Sequence, residues 1–211
     1  MQRLNVLSEM VTKGNRNEAK RLTQELLDAG AAPQAIIDDG LVPGMSAIGE
    51  MFKRNEAFVP EMLIAARAMK ESMGMLEPLL TKAGIKPRYT AVIGTVQGDL
   101  HDIGKNLVRM MWRGANIGVI DLGTNVPTET FIAAAKEHHA DIIGLSALLT
   151  TTMDAMRQAV SAVRNADLNG AKVIVGGAPI TRMFAEEIGA DGYAADAASA
   201  VDVALQLVEK A

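Results

Sequence analysis

The sequence predicts an α/β fold in which a small helical bundle precedes a doubly wound, parallel, five-stranded sheet. Three observations lead to this prediction. In the first part of the chain, apolar residues recur at helical spacing and no strand pattern interrupts them. Residues 81–88, which include Gly84 and Pro87, are typical of a linker. From residue 89 onward, short apolar runs alternate with helical segments, which is the pattern of a parallel sheet with helical crossovers.

Four apolar stripes define the helices of the first part, which we expect to form a bundle over residues 1–85. The first contains Leu4, Leu7, Met10 and Val11, and the second contains Ala19, Leu22, Leu26 and Ala29 and stops at Gly30. Pro33 can open a third helix, and Pro43 predicts a break or a restart. Pro60 opens the fourth helix, whose apolar positions are Met62, Leu63, Ala66, Met69, Met73, Leu76 and Leu80.

The second part, residues 88–211, is predicted to be an α/β domain. Its strands are expected near residues 89–96, 116–121, 141–146, 171–176 and 192–195. Its helices are expected near residues 103–114, 128–138, 152–165, 180–188 and 197–210. Five strands in this alternation favour the flavodoxin-like, Rossmann-like order, in which the first and third strands are neighbours at the switch point where ligands bind.

Composition excludes several classes of function. A net charge of -4 and an aromatic content of 3 % argue against nucleic acid as a partner. The sequence shows neither a membrane-spanning run nor a signal-peptide pattern, so no membrane partner is expected and the cytoplasm is the predicted location. With no cysteine, disulfides, thiolate nucleophiles and cysteine-ligated iron–sulfur clusters are excluded. Any redox chemistry must therefore come from a bound cofactor or a partner.

The loop that follows the first predicted strand carries the most informative residues. Asp99 and His101 lie two positions apart within the segment Gly98–Gly104, between an apolar run and a predicted helix. In an open α/β sheet, the carboxyl end of a strand is where ligands bind. An imidazole backed by a carboxylate is a metal-ligand arrangement, because the acid fixes the tautomer and raises the basicity of the other ring nitrogen.

This loop has two other interpretations. A phosphate loop needs four residues between its first Gly and the Gly-Lys pair, whereas five separate Gly98 from Gly104, and Asn106 replaces the required hydroxyl. Two aspartates would also repel a phosphate. The second interpretation, in which Asp99 only caps the next helix and His101 is incidental, stays open at the level of the sequence.

Two further loops are expected beside this pair. The loop after the third strand, Ser146–Thr152, is rich in hydroxyls, and it adjoins the first loop if the first and third strands are neighbours. The fourth strand ends in Gly176-Gly177-Ala178, which are small enough for a ligand to approach the backbone. Together the three loops outline a deep slot that runs away from His101. Helix capping by Thr152 and a plain turn at the glycines are the alternatives.

The chain resembles the cobalamin-binding module of methionine synthase and, in size and layout, the small corrinoid proteins of anaerobic methyl-transfer systems. The resemblance covers essentially the whole chain. It is carried by Asp99-Leu100-His101-Asp102-Ile103-Gly104, Ser146-Ala147-Leu148 and Gly176-Gly177, in this order and at this spacing.

The resemblance implies that cobalamin binds base-off, with its dimethylbenzimidazole tail detached from cobalt and His101 as the lower cobalt ligand. Asp99 matches the carboxylate that hydrogen-bonds this imidazole. Thr152 stands where the family has a Ser. The hydroxyl of the relay is therefore kept at this position, although the residue type differs. The matching cofactor-binding positions are Gly98, Asp99, His101, Asp102, Ile103 and Gly104 in the first loop, Ser146, Leu148, Thr150 and Thr152 at the tail pocket, and Gly176, Gly177 and Ala178 beside the tail.

The helical domain, residues 1–85, resembles the cap over the reactive face of the corrin. Phe52 and Val59 occupy the capping positions, with Val59 in place of the Leu of methionine synthase. An apolar lid of this kind shields a cobalt–methyl bond from water, and it must move aside for methyl transfer. Packing in the core of the bundle is the alternative role for both side chains.

The expected function is a methyl carrier. The resemblance implies one partner methyltransferase specific for the methyl donor, a second that passes the methyl to tetrahydrofolate or coenzyme M, and a reductive activation protein. A proton shared among Asp99, His101 and Thr152 is a hypothesis for linking ligation to redox state. The alternatives are a cobalamin-dependent regulator or light sensor and the cobalamin subunit of a mutase. The donor stays open among methylamines, quaternary amines, methanol and aryl methyl ethers.

The other candidate residues are assigned weaker roles. His138 and His139, near the end of a helix, are expected at the surface, where cations suit the helix dipole. Lys105 is expected on a helix surface or in contact with the cofactor. Trp112 is expected to be packed.

Overall fold

The fold is described from a computed structural model in which residues 2–209 are placed. Residue 210, the predicted end of the last helix, and residues 1 and 211 of the predicted domains lie outside this described part. The described chain separates into two compact units. One contains the residues up to Pro87 together with Gly114–Asn116, and the other contains Arg88–Arg113 and the residues from Ile117 onward.

The first unit is helical, as its apolar stripes predict. Its helices are α1 (Gln2–Thr12), α2 (Arg16–Asp28), α3 (Pro33–Ile36), α4 (Val42–Lys53) and α5 (Val59–Lys82), with a π-helical turn at Ile37–Leu41. Helix α1 packs on α2 and α4, and α5 packs on α2 and α4. The largest fully buried side chains between them include Leu7, Ile36, Ile37, Leu41, Met45, Ile48, Met62 and Leu76.

Of the break or restart predicted at Pro43, the structure has the restart: α4 begins at Val42, and it follows α3 and the π turn without an intervening loop. Pro43 is the second residue of α4 and has no N–H with which to bond a carbonyl in the preceding turn. The wider π turn accommodates this, because the N–H of Val42 reaches back to the carbonyl of Ile37. The other proline-initiated helix, α5, begins one residue before Pro60 and extends to Lys82, so the predicted linker is shorter and begins at Ala83.

The second unit is an α/β sheet. Its strands are β1 (Tyr89–Thr95), β2 (Ile117–Asp121), β3 (Ile142–Ser146), β4 (Lys172–Gly176) and β5 (Gly192–Ala194). Its helices are α6 (Ile103–Gly114), α7 (Thr128–Glu137), α8 (Met153–Asn165), α9 (Arg182–Glu187) and α10 (Ser199–Glu209). All the strand pairs are parallel and the order is β2-β1-β3-β4-β5, which confirms the predicted flavodoxin-like topology.

Strands β1 and β3 are the central pair, and their register aligns their carboxyl ends. Thr95, the last residue of β1, lies opposite Ser146, the last residue of β3. Both strands are largely buried, as expected for a sheet that helices cover on both faces. The loops that follow the two strands therefore leave the sheet side by side.

Trp112 on α6 is fully buried, as predicted, and its indole N–H donates to the carbonyl of Ala200, with a nitrogen–oxygen distance of 2.9 Å. The ring lies against Gly144 of β3, where an added Cβ would come within 2.8 Å of it. The only tryptophan of the chain thus reports on the core of the α/β unit.

Within residues 2–209, no helix combines the length and the apolar character needed to cross a membrane.

Candidate functional site

Asp99, His101 and Thr152 form one hydrogen-bonded chain at the carboxyl ends of β1 and β3. The ring Nδ1 of His101 lies 2.8 Å from Oδ1 of Asp99, and the hydroxyl of Thr152 donates to Oδ2 at 2.9 Å. Because a carboxylate only accepts, Nδ1 carries the hydrogen. The side chain of His101 is 50 % exposed, and no group of residues 2–209 hydrogen-bonds its Nε2. The ring is therefore held with Nε2 free for a ligand.

The carboxylate of Asp99 is fully buried and accepts five hydrogen bonds. Besides the imidazole and the threonine hydroxyl, its donors are the backbone N–H groups of His101 at 3.0 Å, Leu148 at 2.7 Å and Leu149 at 3.2 Å. Burial alone would raise the pKa of Asp99, but these hydrogen bonds outweigh it and hold the pKa far below its usual range. Asp99 is therefore ionised at neutral pH.

Neither capping alternative describes this site. The donors to Asp99 come from His101 and from residues 148–152, so Asp99 does not cap α6. Thr152 occupies the N-cap position of α8, yet its hydroxyl makes no capping bond there. It points instead to Asp99 and to the carbonyl of Leu149, both at 2.9 Å.

Exposed apolar side chains surround His101. Leu100 and Ile103 are 73 % and 76 % exposed, and Leu148 and Leu149 on the neighbouring loop are also exposed. Such a cluster is typical of a surface that a ligand covers. Within the described residues, no three His, Cys, Asp or Glu side chains group to hold a metal ion. A metal at His101 would therefore need its other ligands from outside these residues, and cobalamin, whose corrin ring supplies such ligands, fits a single imidazole among apolar side chains.

The glycines of the site have different surroundings. Beside Gly104, at the start of α6, an added Cβ would meet nothing within 4 Å, so this position is open. At Gly177, whose φ is 131°, an added Cβ would lie 1.8 Å from the carbonyl oxygen of Ala147. The space that a side chain would need at Gly177 is therefore occupied by the loop after β3. Glycine at this position allows the loops after β3 and β4 to approach each other. Ser146 is half-buried at the end of β3, whereas Thr150, Gly98, Asp102 and Ala178 are exposed.

Lys105 is not on the helix surface, in contrast to one of the two expected placements. Its side chain is 1 % exposed, and its Nζ lies 2.6 Å from Oδ1 of Asp121 at the end of β2. Arg109, one turn further along α6, contacts the other oxygen of Asp121 at 2.9 Å. Burial would raise the pKa of Asp121, but the bond from Lys105, the N–H of Gly123 and the two positive charges hold it below its ordinary value.

The sequence analysis did not predict two residues near the site, Asp121 and Asn125. For Asp121 there was a usable signal, because Lys105 and Arg109 lie four positions apart on α6 and Asp121 is an acidic residue at the end of a strand. Asn125 had no such signal, although its side chain accepts a hydrogen bond from the N–H of Gly98 at 2.8 Å. The predicted surface residues His138 and His139 are exposed at the end of α7.

The predicted capping residues lie in the helical unit. Phe52 is near the end of α4 and Val59 is the first residue of α5, and both are half-buried. Phe58, between them in the sequence, is 61 % exposed. Its N–H donates to the carboxylate of Glu61 at 3.0 Å, which fixes the start of α5.

Asp99→Asn is expected to destabilise the protein at neutral pH by about 2 kcal/mol, because an amide cannot accept from all five donors. The pKa of Asp99 is lower in the folded than in the unfolded state, so its contribution is present above the unfolded value near pH ~4 and is lost as pH falls. The free energy of unfolding, followed by Trp112 fluorescence in urea, should therefore fall more between pH 7 and 3 for the wild type than for the variant.

Asp102→Asn is the matched control, since it removes an exposed carboxylate of the same loop, and comparison with it isolates the effect of the buried one. Equal pH dependence for the wild type and Asp99→Asn would contradict the role assigned to Asp99.

Comparison with known proteins identifies the family of the chain. Residues 89–202 match the model of a B12 binding domain, and residues 3–77 match a second B12 binding domain model. The chain is 39 % identical to a corrinoid protein of Desulfitobacterium hafniense (strain Y51), over 100 % of this chain and 99 % of that protein. It is 42 % identical to dimethylamine corrinoid protein 3 of Methanosarcina acetivorans, over 85 % of each chain.

A solved structure with the same fold is a chain of the methanol:cobalamin methyltransferase complex MtaBC from Methanosarcina barkeri. It superposes with a TM-score of 0.86 at 28 % identity, over 100 % of this chain and 81 % of that one. The resemblance to corrinoid proteins expected from the three loop motifs is thus confirmed. With its two B12-binding regions and its matches over the whole length, this chain belongs to the family of corrinoid proteins, whose cofactor is cobalamin.

Proposed function

We propose that this protein carries a methyl group on the cobalt of cobalamin between two methyltransferases. The observation that carries the proposal is the His101 ring, which Asp99 fixes on one side and which presents a free Nε2 among exposed apolar side chains. When bound, the cofactor supplies the cobalt atom that holds the methyl group. The protein supplies binding, orientation and electrostatics.

In this proposal, His101 would ligate cobalt through Nε2. Asp99 fixes the tautomer and keeps the imidazole electron-rich. The exposed side chains of Leu100 and Ile103 would pack against the bound cofactor and exclude water beside the cobalt–nitrogen bond. The nucleotide tail is assigned to the surroundings of Ser146, Leu148 and Thr150 and of Gly176, Gly177 and Ala178, and the edge of the corrin to Gly98, Asp102 and Gly104.

The proton of the relay is assigned to His101. Asp99 accepts five hydrogen bonds, which hold its pKa below the ordinary value, so the hydrogen between Asp99 and His101 resides on Nδ1 of the ring. The hydroxyl of Thr152 stabilises the carboxylate of Asp99 by donating a hydrogen bond, and it is itself uncharged. The threonine that replaces the family's serine keeps the hydrogen bond to Asp99.

The helical unit is proposed as the cap of residues 1–85, and residues 88–211 as the cobalamin-binding domain. Phe52 and Val59 are assigned to the upper face of the corrin, where apolar side chains would protect the methyl group from water. The second B12-binding match, over residues 3–77, supports a role for this unit in cofactor binding.

The partners are proposed as a methyltransferase that delivers the methyl group, a second that passes it to tetrahydrofolate or coenzyme M, and a reductive activation protein, all in the cytoplasm. The names of the relatives support the first of these, since one is a dimethylamine corrinoid protein and one structure is a methanol:cobalamin methyltransferase complex. Neither name favours the regulator or the mutase alternative.

His101→Ala is expected to abolish ligation of cobalt by the protein while some corrin stays bound through the tail. The measurement is the paramagnetic resonance spectrum of the cobalt(II) holoprotein, made with and without ¹⁵N-labelled histidine. In the wild type the nitrogen splitting should change with the isotope, and in His101→Ala it should not. The control His139→Ala removes an exposed histidine and should keep the isotope effect. A splitting that depends on labelled histidine in His101→Ala would falsify the assignment.

Phe52→Ala and Val59→Ala are expected to speed photolysis of the protein loaded with methylcobalamin, because a smaller lid lets the separated fragments escape. The control is Val6→Ala, which truncates an exposed apolar side chain of α1. The rate of spectral change under fixed illumination measures the effect. If both cap variants photolyse at the wild-type rate, the cap assignment is wrong.

The chain alone is expected not to turn over a biological methyl donor, because it has no cysteine with which to ligate an electron-transfer cluster. Methyl transfer is measured with the chemically reduced holoprotein and methylamines, quaternary amines, methanol or aryl methyl ethers, with and without the methyltransferase encoded beside it. Transfer should depend on that enzyme. Rapid turnover by the lone chain would favour a self-contained enzyme.

A further inference from the structure

Asn125 belongs to a different loop from Asp99 and His101, and it hydrogen-bonds to the loop that carries them. It lies on the loop between β2 and α7 and makes two hydrogen bonds to the site loop. Its side-chain Oδ1 accepts from the N–H of Gly98 at 2.8 Å, and its own N–H donates to the carbonyl of Asp99 at 2.8 Å. One residue thus binds both ends of a two-residue stretch.

This stretch sets the direction of the Asp99 side chain. Gly98 has a φ of 86°, a conformation that side chains rarely adopt, and Asp99 follows directly. The N–H of Asp99 is itself bonded to the carbonyl of Val96 at 3.1 Å. Both the N–H and the carbonyl of Asp99 are thus hydrogen-bonded, which directs its carboxylate toward the ring of His101. A rotation of the backbone at Asp99 would therefore move the imidazole as well.

The loop of Asn125 is itself firmly attached. The N–H of Val126 donates to the carbonyl of Thr95, and the N–H of Thr95 donates to the carbonyl of Gly123, both at 3.0 Å. The N–H of Gly123 donates to Asp121, which also holds the buried Lys105. Asn125 is therefore presented by a segment that is anchored to β1 and to α6.

The position makes two demands on the residue type. Its φ is 52°, in the left-handed region that Gly, Asn and Asp adopt most readily. The side chain must also accept a hydrogen bond at short range. Gly meets the first demand only, Asp meets both, and Ala meets neither. These substitutions separate the backbone requirement from the hydrogen bond.

We propose that Asn125 is a positioning residue for the cobalt ligand: its clamp on Gly98 and Asp99 sets the orientation in which Asp99 presents the His101 ring. The consequence at cobalt rests on the proposed function, whereas the clamp itself is a property of the chain without cofactor. The two are tested separately.

The first experiment uses the cofactor-free protein and measures amide hydrogen exchange of Gly98 by NMR. In Asn125→Gly, exchange should accelerate about fivefold, the effect of losing one hydrogen bond. In Asn125→Asp it should stay at the wild-type rate. Asn169→Gly is the matched control, because Asn169 also has a φ of 52° but lies on the loop between α8 and β4, where its side chain makes no hydrogen bond within residues 2–209. Unchanged exchange in Asn125→Gly overturns the clamp.

The second experiment measures the fraction of cobalt(II) holoprotein with histidine nitrogen splitting, using ¹⁵N-histidine as the marker. This fraction should fall in Asn125→Gly and stay at the wild-type level in Asn125→Asp and Asn169→Gly. A structural role alone would not produce this pattern. If Gly98 exchange accelerates while the ligated fraction is unchanged, the positioning role is overturned. If the wild type itself lacks the marker, ligation by His101 fails, and the exchange measurement still decides on the clamp.

Discussion

The buried carboxylate of Asp99 joins parts of the α/β unit that are far apart in the sequence. It accepts from His101 in its own loop and from Leu148, Leu149 and Thr152 in the loop after β3. A buried anion without such donors would cost several kcal/mol, about the range known for unpaired buried polar and charged groups. The two loops are therefore tied together by one group, and the position of the imidazole depends on both.

The parallel topology makes this arrangement possible. Because β1 and β3 are neighbours with their ends in register, the residues that follow Thr95 and Ser146 leave the sheet at the same edge. A sheet order with another strand between them would separate Asp99 from Thr152 by a further strand spacing of about 5 Å. The chemistry of the site thus depends on the switch point of the fold.

The supports around the site differ in kind. Lys105 and Asp121 form a nearly buried ion pair that attaches α6 to the end of β2, and such a pair is costly to break although its net contribution to stability is modest. Asn125 contributes hydrogen bonds to the backbone instead. Leu100 and Ile103 are exposed, whereas the carboxylate of Asp99 is buried, so the loop presents an apolar surface to solvent and its hydrogen-bonding group to the interior.

The sequence by itself determined the two-part organisation, the order of strands and helices, and the pairing of Asp99 with His101, because these follow from periodicity and from residues close together in the chain. Tertiary structure decided the rest. Three interactions join residues from different elements, and no local spacing encodes them. They are the buried ion pair of Lys105 with Asp121, the hydrogen bond of Asn125 to Gly98 and the close approach of Gly177 to Ala147. The passage from α3 to α4 shows the same limit, since Pro43 predicts either a break or a restart, and the structure has a restart that a π turn joins to α3 without a loop. Local patterns define which elements form, whereas partners across the fold decide which side chains are buried, held or left free.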